Sequence, residues 1–403
     1  MPAPLYFDHN ATTPAFPEVV EAMRACWAKP YLNPASQHSF GRAARRVLED
    51  ARDRIGELLG AASQDRVIFT SGGTEANHLA FNIRIPRREQ PPHTNPPLET
   101  ELFSFVVSSI EHPSVSSQAD EMESILDKFG QTGGRAIKRV TVGSDGVVML
   151  TDLEQCLTPA TRFAAIMLAN NETGVIQPIA EAASICNRHK VPLVVDAAQA
   201  AGKRAINFCE LGLGTMTIAA HKFGGPLGIG ALLVRNGIEI SPKFRGGFQQ
   251  AGTRPGTESV ALAVGMCTAL ELWHERRHEW SGRITQMRDE FETALCREGA
   301  LTNCTPVIIG KASPRLPTTS NIAFVGLDRQ QLFLALDQAG VACSTGSACA
   351  SGSSEPSPTH IAMGLDAAVI SSALRFSFGV STTRDDVADG CRRIINVCNG
   401  LRR

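Results

Sequence analysis

The sequence predicts an α/β protein, with a large domain built on a mostly parallel sheet covered by helices and a smaller α+β domain. Three observations carry this. Short apolar runs rich in β-branched and aromatic residues alternate with amphipathic stretches of helical length. The runs are continuous rather than alternating, the pattern of strands buried on both faces. After about residue 257 the alternation gives way to one long helical pattern and a few scattered strands.

Taken in order, strands are expected at 66–70 (RVIFT), 103–109 (FSFVVSS), 162–169 (RFAAIMLA), 191–198 (VPLVVDAA), 216–222 (MTIAAHK) and 228–235 (GIGALLVR). Amphipathic helices are expected at 41–60 and 178–190. The second part reads as a helix over roughly 258–296, a strand at 321–326, a helix at 328–339, a strand at 373–379 and a terminal helix. The division drawn is a large domain at 15–257, with 1–14 and 258–403 forming the small one. Residues 84–101 hold five prolines and many charges, a surface excursion.

Bulk properties exclude several classes. Net charge is −1 and charged residues make up 20% of the 403, so no general nucleic-acid or acidic-membrane partner is indicated. No apolar run approaches the ~18 residues of a membrane span. The N-terminus lacks a basic segment followed by an apolar one, so the protein is read as soluble and cytoplasmic. Eleven cysteines are scattered without any C-x-x-C, which fits neither a disulfide framework nor a zinc ribbon.

One cysteine-bearing segment stands apart. Residues 341–360, VACSTGSACASGSSEPSPTH, carry Cys343 after an apolar pair and Cys349 at the start of a Ser/Gly/Pro-rich run. Such a run has almost nothing apolar to bury and reads as a loop. Cys343 reads as structural, at the end of a buried strand.

Chemistry is suggested at the ends of the expected strands, where ligands bind in parallel α/β sheets. Lys222 follows His221 at the end of one strand and precedes a glycine-rich turn, HKFGGPLGIG. It reads either as a surface lysine in a turn or as an amine able to lose its proton and form a Schiff base. Asp196 ends another strand. It is either a helix cap or the partner of a buried cation, and a pyridinium nitrogen would be such a cation. Gln199, three positions on, lies in reach of a ring hydroxyl.

Ser71-Gly72-Gly73-Thr74 opens a helix after a strand, which suits a phosphate or simply a cap. His112 at a strand end is either structural or able to stack on a flat cofactor and move protons. Asn170 and Asn171 either form a turn or hold a ring oxygen. The H-E-x-x-H match at His274, Glu275 and His278 has two arginines between the histidines and charged flanks, so it is read as a solvated helix face rather than a zinc site.

Together the stretches YFDHNATTP, NPASQHSFG, TSGGTEAN, EHPSV, NNETGVIQP, VDAAQAAGK, AHKFGGPLGIGAL, RPGTESV, GSACASGSSEPS and LRFSFG resemble the cysteine desulfurases, in order and over nearly the whole chain. These are class V aminotransferases among the fold-type I pyridoxal-phosphate enzymes. The resemblance implies a seven-stranded sheet in the large domain, with the catalytic cysteine loop carried by the small one.

It further implies that Lys222 holds pyridoxal 5'-phosphate as a Schiff base, that Asp196 pairs with the ring nitrogen, and that His112 stacks on the ring and handles protons. Asn171 and Gln199 match cofactor contacts. Gly73, Thr74 and His221 match the phosphate side, and Thr257 matches a contact from the second subunit of a homodimer. Arg375 matches the clamp on the substrate carboxylate, with Asn171 beside it. Cys349 matches the nucleophile that takes sulfur from L-cysteine as a persulfide. Its long loop resembles the branch that serves a sulfur acceptor or iron–sulfur scaffold protein.

Four features depart from the family pattern or leave it open: the helix start carries Gly73 and Asn77-His78 where the family often has Ala and a later Asp, the 84–101 excursion is longer than usual, and two more follow. Ala219 stands where a serine is usual, leaving Thr217 or Ser71 to compensate. Pro255 also occurs in selenocysteine lyase-like members, so a selenocysteine lyase or another class V lyase is the alternative.

Overall fold

The structure is a computed structural model and describes residues 3–84, 104–128, 137–346 and 355–401. Most of the 84–101 excursion and all of 347–354, including Cys349, lie outside the described residues.

Seven strands form the large sheet: β1 (Arg66–Thr70), β2 (Ser104–Ser108), β3 (Ile137–Val140), β4 (Thr161–Ala165), β5 (Leu193–Asp196), β6 (Thr215–Ala219) and β7 (Gly230–Val234). Their order across the sheet is β1-β7-β6-β5-β4-β2-β3. β7 runs antiparallel to both neighbours, and the other pairings are parallel.

The continuous apolar runs are explained by what covers them. Val106 packs into one core while Phe105 and Val107 pack into another, and Val195 and Val194 divide in the same way. Successive side chains point to opposite faces, so a sheet covered on both sides needs both positions apolar. After α1 (Pro17–Trp27) and α2 (Ser39–Leu58) in chain order, α3 (Gly73–Ala80) and α4 (Pro113–Lys128) form one cover and contribute Ala76, Leu79, Val115 and Ala119. The other includes Ala44, Leu48 and Ile55 from the helix Ser39–Leu58 and Ala182 and Cys186 from the helix Ile179–Arg188.

A second, antiparallel sheet contains β8 (Thr305–Ile308), β9 (Thr319–Val325) and β10 (Ala373–Ser377), in that order. The helix Val260–Leu295 runs 36 residues and packs against helices of both parts. The N-terminal strand Leu5–Tyr6 pairs in parallel with Val341–Ala342, and Asp8 bridges to Ser377 on β10.

Several expected strands are shorter than their apolar runs, 191–198 pairing regularly only over Leu193–Asp196, and two show why. The 162–169 run leaves regular pairing after Ala165, although the amides of Ile166 and Leu168 still bond to the Val194 and Asp196 carbonyls. The 216–222 run ends at Ala219 and tightens into a 3-10 turn, Ala220–Lys222. Gly225 makes this turn possible: its amide bonds to the Ala220 carbonyl at 3.0 Å, and a Cβ there would lie 2.9 Å from the same oxygen.

The outer edge of β1 is closed by side chains. The Gln250 amide accepts from Phe69 N–H at 2.7 Å and donates to Phe69 C=O at 2.9 Å. Arg52 donates to the Val67 carbonyl and to Gln250 Oε1, and its guanidinium sits 4.6 Å from the centre of the Phe69 ring. Gln250 and Ala251 both hold left-handed backbone, at φ 48 and 54. That conformation costs roughly 1–2 kcal/mol per residue in a non-glycine chain, so it needs this degree of external bracing.

Candidate active site

The ends of β2, β5 and β6 meet the small-domain strand β10 at a cavity of about 280 Å³. Its lining includes Gly73, Thr74, His112, Asn171, Asp196, Gln199, His221, Lys222 and Arg375. The strand ends, α3 and the second sheet thus bring together side chains that are widely spread in the sequence.

Asp196 ends β5 with its carboxylate buried. Its Oδ2 accepts from Asn77 Nδ2 at 2.8 Å and its Oδ1 from Ala198 N–H at 2.9 Å. Asn77 also donates to Ser114 Oγ at 2.8 Å. His112 Nδ1 accepts from Ser114 N–H at 3.1 Å, which leaves the proton of a neutral ring on Nε2. Burial lowers the pKa of His112, against an opposing pull from Asp196.

Lys222 ends the 3-10 turn, and its Nζ donates to the Asn10 and Ala11 carbonyls at 2.6 and 2.9 Å. Gln199 Nε2 donates to the same Asn10 carbonyl at 3.1 Å, and its Oε1 is buried without a hydrogen-bond partner. His221 Nδ1 lies 2.5 Å from Thr12 Oγ1, and burial followed by the charges of Lys222 and Lys203 lowers its pKa to about 4. It is neutral at physiological pH.

Arg375 is 1% exposed. Its Nη2 pairs with Asp8 Oδ1 at 2.6 Å and its Nη1 donates to the Asn171 carbonyl at 3.0 Å. Its Nε is buried without a hydrogen-bond partner. A buried donor in this state is costly unless a ligand acceptor satisfies it.

On the side where the resemblance expects a phosphate, Gly73 and Thr74 at the start of α3 face Ala219 and His221. A Cβ on Gly73 would touch the Ala219 methyl at 3.4 Å. Of the two residues expected to compensate for Ala219, Thr217 has a buried hydroxyl without a partner, while Ser71 is exposed and its amide bonds to Glu75.

The residues present fit a flat anionic cofactor. There is an amine for covalent attachment, a buried carboxylate with oriented oxygens, an open helix N-terminus, and orphaned polar atoms on Gln199 and Arg375. Thr257 is exposed and does not line the cavity of this chain. Cys343 is buried, and burial pushes its thiol pKa up. His274, Glu275 and His278 are exposed on the long helix, away from the cavity.

Sequence reasoning missed Asp8, Asn10, Asn77 and Ser114. Asn77 had a readable signal, being a buried polar residue on a helix face otherwise formed by Ala76, Leu79 and Ala80. Asp8 and Asn10 had none, because their partners are remote in sequence: Arg375 for Asp8, and Asn171 and Thr319 for the Asn10 side chain.

The aminotransferase class-V family model matches residues 5–389. The cysteine desulfurase IscS of Dictyoglomus turgidum is 36% identical over 384 residues, covering 95% of this chain and 91% of that protein. The IscS-like cysteine desulfurase of Mycobacterium tuberculosis is 38% identical over 387 residues, covering 95% and 93%. Among solved structures, a NifS-like protein from Rickettsia africae superposes with a TM-score of 0.82 at 28% identity, covering 98% of this chain and 99% of that one.

Proposed function

We propose the activity from this premise: the chain belongs to the aminotransferase class-V family and, within it, to the cysteine desulfurases. It is a pyridoxal-phosphate-dependent cysteine desulfurase, which converts L-cysteine to L-alanine and passes the sulfur through an enzyme persulfide to an acceptor. The observation that supports the assignment of roles is the convergence of Lys222, Asp196, His112 and Arg375 on one cavity.

When bound, pyridoxal 5'-phosphate supplies an electron sink for the carbon that carries the substrate amine. Lys222 Nζ would be the point of covalent attachment, and its amine would take and return the proton of that carbon. Asp196, held by Asn77 and the Ala198 amide, stabilises a proton on the ring nitrogen. His112 would lie against the ring and present Nε2–H to it. Asn171 and Gln199 hold the ring substituents. Gly73, Thr74 and His221 receive the phosphate together with Thr257 of the partner subunit in a homodimer.

Arg375 takes the substrate carboxylate, with Nε as the donor still to be satisfied. The Cys349 thiolate then attacks the substrate sulfur. An S–S bond forms, the C–S bond breaks, and its electron pair returns to carbon, which is protonated and leaves as alanine. The atoms balance as cysteine plus thiol giving alanine plus persulfide. The sulfur acceptor is proposed to be a partner protein such as an iron–sulfur scaffold.

A cytoplasmic setting suits this chemistry, since it needs reduced thiols and the described cysteines are all free. Among the described residues no helix is long and apolar enough to cross a membrane.

Absorbance and product release test the reading. Lys222→Ala loses the visible band of the bound cofactor. Cys349→Ser keeps the band but stops alanine release from L-cysteine. A retained band in the first variant, or normal turnover in the second, overturns the corresponding assignment.

A further inference from the structure

Glu111 is a buried carboxyl outside the proposed chemistry. It directly precedes His112, just past the end of β2. Its Oε1 accepts twice, from Ser108 Oγ at 2.5 Å and from Met167 N–H at 2.7 Å. Its Oε2 is buried without a hydrogen-bond partner among the described residues.

The bond to Met167 replaces a missing rung of the sheet. β2 and β4 pair in parallel as far as Val107 and Ala165. Beyond that point Ser109 bonds to the Val140 carbonyl with both its amide and its hydroxyl, so the chain leans toward β3. The segment after β4 stays bonded on its other side, where Ile166 and Leu168 donate to the Val194 and Asp196 carbonyls. Alternate amides of a parallel strand face opposite neighbours, so Met167 N–H faces the place that β2 has left. A buried amide without an acceptor is costly, and the Glu111 carboxyl supplies the acceptor. Ile110 adds a second tie, its carbonyl accepting from Asn170 Nδ2 at 3.1 Å.

Parts of the cavity wall meet at this joint. His112 is the next residue, and Met167, Ala169 and Asn171 lie on the segment that Glu111 holds. The Asn171 carbonyl in turn receives Arg375 Nη1. Burial pushes the Glu111 pKa up to about 8, against the pull of the Ser108 and Met167 bonds, and Asp196 adds to the rise. The carboxyl therefore keeps its proton at pH 7. Both donors converge on Oε1, which leaves Oε2 to carry that proton.

We propose that Glu111 is a positioning residue: its carboxyl sets the spacing between His112 and the 167–171 segment, and with it the Asn171 carbonyl that supports Arg375, without touching cofactor or substrate. This rests on the reading that His112 lies against the cofactor ring and Arg375 takes the substrate carboxylate. What the joint requires is an acceptor at the right reach, not a charge. Glutamine meets that requirement, since its amide oxygen accepts from both donors and its nitrogen takes the place of the protonated Oε2. Aspartate does not, because it is one methylene too short to span from the β2 end to Met167.

The test uses purified holoenzyme and three readouts: the visible band of the bound cofactor, the circular dichroism induced in that band per bound cofactor, and kcat/KM for L-cysteine. Glu111→Asp and Glu111→Ala keep the band, because Lys222 and Asp196 are held from β6 and β5. Both lose induced dichroism as the ring loses a fixed neighbour. Both lower kcat/KM by about 10- to 100-fold, the scale of misplacing a reacting partner by about an ångström. Glu111→Gln retains most of the dichroism and most of kcat/KM.

A Gln variant as impaired as the Asp variant overturns the proposal, and so does an Asp variant that matches wild type. A loss of kcat/KM that follows cofactor content alone, with unchanged dichroism per bound cofactor, also overturns it. If Glu111→Ala fails to fold, the order of the Gln and Asp variants decides. Lys222→Ala is run alongside. If it keeps the band, the reading of the cavity fails and this role with it. If it loses the band while Glu111→Asp is unimpaired, the positioning role alone fails.

Discussion

Asp196, Lys222 and His112 reach the cavity from the ends of β5, β6 and β2, each within a few residues of the large sheet. Arg375 reaches it from β10, and its partners are remote in sequence: Asp8 lies 367 positions away and the Asn171 carbonyl 204. The Glu172 to Ser357 bond spans another 185. One wall is built from strand ends, with Asp196 braced by Asn77 and the Ala198 amide, although Lys222 also reaches the Asn10 and Ala11 carbonyls of the N-terminal segment. The other exists only once the two ends of the chain have come together. The strand-end wall thus follows mainly from the α/β architecture, while the wall carrying Arg375 also needs β10 and the N-terminal segment in place.

If the walls have separate tasks, with Arg375 taking the substrate carboxylate, damage to the Arg375 wall leaves the cofactor in place. Arg375→Lys keeps the visible band and lowers kcat/KM for L-cysteine by about 100-fold, mainly through KM. An ammonium cannot reproduce the planar fork that meets both a carboxylate and Asp8. Loss of the band in this variant would break the separation.

Asp8→Asn acts on stability more than on the cofactor. It leaves the Arg375 charge buried without its carboxylate partner, and removing one partner of such a pair costs about 3 kcal/mol or more. A melting temperature within a degree of wild type would show that the pair contributes little.

The smallest effect lies behind both walls. Lys203 is buried, its Nζ has no hydrogen-bond partner, and burial followed by the charges of Lys222 and Arg375 lowers its pKa to about 7. His9 and His221 also feel its charge. A folded-state pKa below the unfolded one means that the unfolded chain binds more protons between the two values, so stability rises with pH across that window. The destabilisation is complete below about pH 7 and fades toward the ordinary lysine value of 10.5. Lys203→Met should therefore melt several degrees above wild type at pH 6.5, with the gap closing by pH 10. A gap that widens with pH would mean that the amine is satisfied in the folded protein.

The same division explains what the sequence made legible. The strands of the large sheet were readable because both their faces are buried, and Lys222 and Asp196 were readable because polar residues at apolar strand ends are conspicuous. Arg375 carries no local signal: it sits within a continuous strand, LRFSFG, and its role came only from resemblance. Asp8 and Asn10 matter through partners that no local pattern connects to them. The regular strand was over-read at 162–169 because those residues stay apolar and bonded to β5 after the ladder has become irregular.

An open sheet has two edges, and an unpaired edge is a template on which another chain can add a strand. At β1 that template is already occupied. The Gln250 amide holds the outward N–H and C=O of Phe69 as a neighbouring strand would, and Arg52 holds the Val67 carbonyl and adds a charge. A left-handed turn that looks like a local irregularity is thus a colloidal safeguard. It denies the apolar RVIFT strand to foreign chains, so the protein can expose this side of its largest sheet without inviting aggregation.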